Sequence, residues 1–406
     1  MTTAYDAVVV GAGPAGAATG ILLAQGGLRV LVLDRARFPR PKICGEYLSP
    51  EAARVLDRLG VLKAVDAAGA VGLSGMTITA PDGTRLRGTY PRAGRWRGYR
   101  DHALALPRTT LDRILADRLR ETPADFREGH RVTDLLVEGS SVAGVVVQDP
   151  AGHARPVRAR VVIGADGRNS VVARRLRLVS PHWLQRLALV TYAAAVDGPR
   201  DHGIIVVDPP VYSIANPILP GLVNLSLVVP LDWAGAHRGR LDELFDRQVG
   251  GLRHLIEQLP ALSRQAPVQA LGPLAYQVAR PRHQGVLLVG DAAGFYDPFT
   301  GEGIYTALRD AEHAAAAVLT GLGRPEGRSG MLSAFRRDRE RTLRGKRRVT
   351  HLLQLIISRR GVANGVGRVL AGRPAVLDLL MGVIGDFVPP GALLGPAMLR
   401  ALLRGR

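Results

Sequence analysis

The chain opens on an apolar run, Tyr5 to Val10, that ends in glycine, passes through a stretch of small residues and returns as a second apolar run ending in Asp34. That pattern predicts parallel strands over 5–10 and 29–33 around a helix beginning near Pro14, the start of a doubly wound sheet. Further on, Ala53, Leu56, Leu59 and Leu62 recur at helical spacing behind the start signal Ser49-Pro50. GMTITAPDGTRLRG reads as a hairpin turning at Pro81-Asp82-Gly83. Residues 106–121 form an amphipathic helix with Arg108 at its start.

From Phe126 to Ile163 the pattern alternates, with turns at Gly139 and at Asp149 to Gly152. Val161 to Ile163 is a buried strand by composition, and Ala165-Asp166-Gly167 turns it into a helix starting near Ser170. Alternation returns over about 183–230, broken at Pro209, Pro210, Pro217, Pro220 and Pro230, and predicts a second, antiparallel sheet with a face free to wall a pocket. Another apolar run begins at Gly285, and a helix follows Gly303. Beyond Pro325 the chain reads as helical, first basic and then apolar. The fold expected is α/β. A discontinuous, Rossmann-like domain of the GR2 type comes from 1–75, 100–180 and 275–325, an inserted antiparallel substrate sheet from 76–99 and 181–274, and a C-terminal helical region from 326–406.

Composition narrows the class without setting the chemistry. The 406 residues, 47% hydrophobic and 22% charged, are those of a globular enzyme with two or three substructures. No stretch reaches the roughly 18 apolar residues of a membrane span, and the N-terminus enters its first strand at once, so the expected location is cytoplasmic. A single cysteine, Cys44, excludes an internal disulfide and a cysteine-rich metal site. Nothing points to a metal or fixes an oligomeric state.

The formal net charge of +19 is almost all arginine, with lysine only at 42, 63 and 346. Much of it reflects Arg/Ala/Gly/Pro-rich composition. Between Arg336 and Arg348 basic residues cluster around Asp338 and Glu340, which reads first as a solvated helix face and second as a patch for contact at the periphery of an anionic membrane. No nucleic-acid motif accompanies the charge, so nucleic acid is not an expected partner.

Two segments carry the chemistry. Gly11-x-Gly13-x-x-Gly16 lies between a strand and a helix, with Asp34 ending the next strand. The glycines allow a tight turn, close approach of a pyrophosphate at Ala15 and close helix packing, and the carboxylate accepts ribose hydroxyls. Arg35 either stacks near an adenine or is solvated. The motif alone does not separate FAD from NAD. At the other end of the fold, Gly290-Asp291 closes a strand at the sheet's carboxyl edge. Gly301-Glu302-Gly303 then opens a helix whose unpaired N–H groups suit an electron-rich ring. Arg108 offers an anion-binding fork at its helix start. Asp166 shapes a turn and supports the site from outside.

GAGPAG, PKICGEYLSP, GADGRNS and GDAAGFYDPFTGEGI occur in this order. Together they resemble the flavoprotein superfamily of group A (para-hydroxybenzoate hydroxylase-like) monooxygenases and geranylgeranyl reductase-like enzymes, over residues 1 to about 325. The resemblance implies FAD contacts from Ala15, Asp34, Cys44, Gly45, Arg108, the backbone of Val132, Asp291, Gly303 and Ile304, with Pro298 against the flavin ring. Gly11, Gly13, Gly16, Arg35, Asp166 and Gly301 complete the candidate cofactor site.

No catalytic residue is assigned; Cys44, Tyr212 and Pro298 are the flavin-proximal candidates. Cys44 is either a small buried hydrophobe or, by similarity to the reductases, a residue that approaches and tunes the flavin. Glu46 is read as a structural ion-pair member. VYSIANPILPG lies where isoprenoid-reducing relatives carry Tyr-x-Trp-x-Phe-Pro; Tyr212 and Pro217 match, whereas Ile214 and Asn216 replace the aromatics. The Trp-x-Trp-x-Ile-Pro segment of flavin halogenases is absent, and Trp96, Trp183 and Trp233 stand apart.

With a single dinucleotide fingerprint, NAD(P)H is expected as a transient reductant. In the group A pattern, O2 then forms a flavin C4a-hydroperoxide that hydroxylates or epoxidises a lipophilic aromatic, phenolic-lipid or polyketide-type substrate. A reductase acting on C=C bonds of an isoprenoid or quinone side chain is the alternative. A halogenase or a redox-neutral flavoprotein is a further one.

Overall fold

The computed structural model describes residues 5–403 except 91, 92, 94, 196, 197, 199, 238 and 324–326. The first strand, Tyr5–Val10, lies between Val30–Asp34 and Ala154–Gly164, all parallel, with Asp125–Glu128 outside the second and Val286–Leu288 beside the third. Ala154–Gly164 serves two purposes. Its last residues run in the parallel layer, while its first half pairs antiparallel with Ser141–Gln148 in a meander completed by Arg131–Glu138.

The helices Pro14–Gln25 and Gly303–Leu322 pack on one face of this layer. Ala17, Ala18 and Gly20 on the first, and Ala311, Ala314 and Ala315 on the second, are buried and let the backbones approach closely. The glycine turn is equally tight. A Cβ at Gly16 would sit 1.8 Å from the Gly11 carbonyl oxygen, and Gly11 itself, at φ 95°, lies where a Cβ would meet Ala165 O at 2.6 Å.

A second sheet has the order Ser263–Arg264, Arg186–Ala194, Leu222–Pro230, Val211–Leu219, His202–Asp208, Gly75–Thr79, Arg85–Thr89. Its two faces follow the period-2 alternation of β-structure. Along Leu222–Pro230, Val223, Leu225, Leu227 and Val229 face an aliphatic core shared with the helix Leu241–Gly251, whereas Val228 faces the opposite cluster. That second cluster is closed from outside by Leu377, Met381 and Ile384 of the helix Pro374–Ile384.

Three expectations about elements change. The sheet is not wholly antiparallel, because His202–Asp208 and Gly75–Thr79 pair in parallel; more than a hundred residues separate them, so no hairpin dictates their direction. Pro217 lies inside the strand Val211–Leu219, at an irregularity beyond the last residue paired to His202–Asp208, where its missing N–H breaks no rung of that ladder. The helix read through Ala53 and Leu62 is two, Ala52–Arg58 and Leu62–Ala67, parted at Gly60, whose φ of 76° ends the first.

After residue 326 the chain runs through helices Gly327–Ile357, Arg360–Ala371, Pro374–Ile384 and Pro396–Leu403. The basic segment is only partly a solvated face. Arg337, Arg341, Arg344, Arg347 and Arg348 are exposed. Arg339, by contrast, grips the buried Asp310 carboxylate at 2.8 and 2.9 Å. Lys346 is buried between Glu302, at 3.3 Å, and Asp386. Among the described residues no helix is long and apolar enough to cross a membrane.

Candidate functional site

One cavity of about 900 Å³ joins the two sheets. Its groove-like part begins at Asp34 and Arg35, passes Gly11, Gly13 and Ala15, and is bordered by Val132 and Asp166. It continues past Arg108 and Asp291 to Cys44, Gly45, Pro298, Gly301, Gly303 and Ile304. Two predicted residues lie elsewhere. Gly16 is spent on packing against Gly11, and Tyr212 is buried away from the cavity wall, donating its hydroxyl to Asp297 Oδ1 at 2.7 Å.

The side chains of the groove are held before any ligand arrives. Asp34 accepts the N–H groups of Ala12 and Ala36, each at 2.8 Å, and so braces the glycine turn. Arg108 is buried, its fork committed to both oxygens of Asp112 at 3.0 Å, and Asp112 also lies 3.4 Å from Arg40. Asp166 Oδ2 accepts Val171 N–H at 2.6 Å, while Oδ1 is buried with no hydrogen-bond partner among the described residues. Burial pushes the Asp291 carboxyl up, against the opposing pull of Lys42, Arg108 and Arg168. Burial likewise lowers Lys42 and Arg168.

Glu46 stands at the junction with the second sheet, and its role differs from the ion pair expected. Oε1 accepts Arg108 N–H and the Tyr192 hydroxyl, both at 2.8 Å, and Oε2 accepts the Asn224 amide at 3.1 Å. Its φ is 56°, a left-handed conformation that costs a residue with a side chain of order 1 kcal/mol or more. Burial raises its carboxyl despite these donors. Asn224 also donates to Cys44 O, and Asn216 to Gly45 O, each at 2.9 Å. The sheet thus holds the Cys44–Glu46 segment by its backbone.

On the far side of the cavity, Asp297 accepts Phe299 N–H at 2.9 Å and the Gln354 amide at 2.6 Å, besides Tyr212. Burial pushes it up to about 6. The remainder of the cavity is a chamber walled by Ile205, Ile214, Leu274, Phe299, Met381 and Ile384, with Asn216 and Ser226 among its few polar residues. Glu46, Asn224, Asp297, Met381 and Ile384 were not identified as contributors from the sequence. Glu46 and Asp297 lie inside motif segments, whereas nothing local marks Asn224 or the two aliphatic residues.

These residues fit a dinucleotide. At Gly13 a methyl group would meet only Arg40, at 3.6 Å, so the turn faces open space. The helices starting at Pro14 and Gly303 both present their first residues to the same cavity, which suits a pyrophosphate at one and an electron-rich carbonyl edge at the other.

A two-ended groove leading into an apolar chamber defines a FAD-dependent oxidoreductase fold. The chain belongs to the family described as FAD binding domain, whose model matches residues 4–349. It is 30% identical over 332 residues to 6-methylpretetramide 4-monooxygenase of Streptomyces rimosus, covering 79% of this chain and 76% of that one. It is 29% identical over 331 residues to digeranylgeranylglycerophospholipid reductase of Methanosarcina acetivorans, covering 78% and 76%. Among solved structures, a flavin-dependent brominase superposes over the full length of both chains with a TM-score of 0.83 at 21% identity, a likeness of fold.

Proposed function

We propose that this protein is a FAD-dependent monooxygenase that uses NAD(P)H and O2 to hydroxylate or epoxidise a lipophilic aromatic, phenolic-lipid or polyketide-type molecule. The observation that carries the reading is the apolar chamber opening directly off the cofactor groove. The similarity to an enzyme that acts as a monooxygenase on 6-methylpretetramide supports it. For hydroxylation, substrate C–H, O2, NAD(P)H and a proton become C–OH, NAD(P)+ and water. The chemistry that FAD supplies when bound is two-electron transfer from NAD(P)H to dioxygen.

The chain's own contribution is to bind, orient and keep dry. Gly13, Ala15, Asp34 and the first turn at Gly303 hold the two ends of the cofactor. Phe299, Met381 and Ile384 enclose an apolar substrate and exclude water, while Asn216 and Ser226 are placed to orient a polar substituent. The Glu46 junction fixes groove and chamber relative to one another, which sets the distance over which reaction occurs.

A second reading, reduction of a C=C bond in an isoprenoid or quinone side chain, is favoured by Cys44 on the cavity wall and by the archaeal reductase relative. Against it stand Ile214 and Asn216 on the chamber wall in place of two aromatics. Halogenation is disfavoured because, among the described residues, Trp96, Trp183 and Trp233 all lie outside the chamber wall.

Stopped-flow reduction of the FAD-loaded enzyme by NADPH and NADH, followed by admission of O2 and mass analysis, tests the proposal. Product heavier by one oxygen atom and oxygen uptake in step with NAD(P)H oxidation are expected. Turnover under strict anaerobiosis would establish the reductase instead.

A further inference from the structure

We propose that the outer face of the C-terminal helices is a docking surface for an anionic lipid bilayer. Among the described residues, seven of the twelve large hydrophobic side chains left exposed lie between Leu352 and Leu402, so the exposure is concentrated in one region. Leu355 is 57% exposed, Val369 51% and Leu394 95%.

Their placement follows the helices. Arg344, Arg348, Leu352 and Leu355 are spaced by four, four and three residues and share one face of Gly327–Ile357. Arg360–Ala371 keeps Leu370 half-buried against the core but leaves two valines outside. The small residues Ala363 and Gly367 are buried, the latter where a Cβ would lie 3.0 Å from Ala80, while Val362 and Val369 face out. The tail lies alongside the long helix, because a Cβ at Gly345 would be 3.0 Å from Pro390 and Val349 packs in one cluster with Leu393, Ala397 and Met398. Leu352 is therefore a neighbour of the segment carrying Leu394 and Leu399.

Charge identifies the occupant. From Arg341 to Leu377 the sequence has nine basic residues and no acidic one. Lys346, Arg360 and Arg368 pair with Asp386, Asp208 and Asp82, and Arg341 lies 3.8 Å from Asp338. Arg344, Arg347, Arg348, Arg359 and Arg373 have no ion pair among the described residues. The first half of the same helix behaves differently: Arg280 pairs with Glu340, and Arg339 with Asp310. A purely solvated face has no need of leucines, and a second copy of a chain with net charge +19 would be repelled. Exposed aliphatic groups set among uncompensated arginines match lipid headgroups above acyl chains. Just beneath this surface, Met381 and Ile384 wall the chamber, so a bilayer-dissolved molecule would be held close to the cavity.

Flotation of the full-length, FAD-loaded protein with vesicles of phosphatidylcholine alone, or mixed with phosphatidylglycerol, tests this. Binding is expected only to the mixed vesicles. It should fall as salt shrinks the screening length from about 10 Å at 0.1 M to about 3 Å at 1 M. Arg344→Glu with Arg348→Glu should weaken binding at least about 25-fold, at roughly fivefold per arginine. Leu352→Ser with Leu355→Ser should weaken it about tenfold. Unchanged circular dichroism and FAD content in both variants, whose substitutions are all exposed, confirm folding. Absence of binding to mixed vesicles at low salt overturns the proposal. So does binding to which the serine pair makes no difference and which duplex DNA abolishes, or concentration-dependent self-association that the same substitutions disrupt.

Discussion

The two parts of the cavity are built on opposite principles. The groove is shaped by main chain: a Gly11–Gly16 turn whose ends tolerate no Cβ, helix starts that offer N–H groups, and charged side chains already committed to partners such as Asp34 to the Ala12 and Ala36 amides and Arg108 to Asp112. The chamber is shaped by side chains, on one face of a sheet and one face of the helix Pro374–Ile384. A backbone-built site resists change at a few positions and ignores most others. A side-chain-built site accepts volume-conserving swaps for less than about 1.5 kcal/mol each, and each swap changes its shape. Cofactor and substrate recognition can therefore diverge at different rates in one cavity.

The sharpest way to break this contrast is Gly16→Val. Its Cβ would sit 1.8 Å from Gly11 O and 2.8 Å from Gly11 C, with Ala165 Cβ at 3.1 Å, and because the closest atoms are backbone the turn cannot give way cheaply. A loss above about 4 kcal/mol is expected, with FAD absorbance missing from whatever folded protein is recovered. Next in size is a pH effect at the groove–chamber boundary. Asp297 titrates near 6 in the fold against about 3.9 unfolded, so the native state holds the extra proton between these values. Stability is then lost as pH rises through that window. Relative to Asp297→Asn, the wild type should lose about 1–3 kcal/mol between about pH 4 and pH 7, read from urea unfolding.

Glu46→Gln sets an amide opposite the Asn224 amide and leaves one acceptor oxygen for Arg108 N–H and Tyr192. A cost of about 1–2 kcal/mol and weaker FAD retention are expected from melting and fluorescence titration, linking the two parts. The smallest effect on the cofactor belongs to Ile214→Phe in the chamber wall. FAD content should stay at the wild-type level, while kcat/KM among substrates of different bulk shifts by about tenfold. A loss of FAD in this variant would dissolve the distinction between the two parts.

What the sequence made legible follows the same division. Gly11, Gly13, Ala15 and Asp34 lie in a local pattern because a dinucleotide turn is a local structure, and the Asp291 and Gly303 segments are local in the same way. The strands of the second sheet were readable from alternation, but the parallel pairing of His202–Asp208 with Gly75–Thr79 joins distant segments, and no periodicity reports that. Glu46 was visible in the sequence, yet its donors come from residues 108, 192 and 224. Tyr212 was placed beside the cofactor by resemblance, whereas in the fold its hydroxyl turns to Asp297. Lys346 and Arg339 looked like surface charge because their acids lie in other parts of the fold: Asp310 on Gly303–Leu322, Glu302 just before that helix and Asp386 in the turn after Pro374–Ile384.

The long helix Gly327–Ile357 reaches back to the cofactor turn three times along one side: Lys346 to Glu302, Thr350 to Glu302 at 3.4 Å, and Gln354 to Asp297. The family's shared stretch ends at residue 349, between the first of these struts and the second. A chain shortened just past that point would keep every glycine of the coenzyme signature and still lose two struts, together with the wall that Met381 and Ile384 supply. Its affinity for flavin and its choice of substrate would loosen together, although no residue of the signature had been touched.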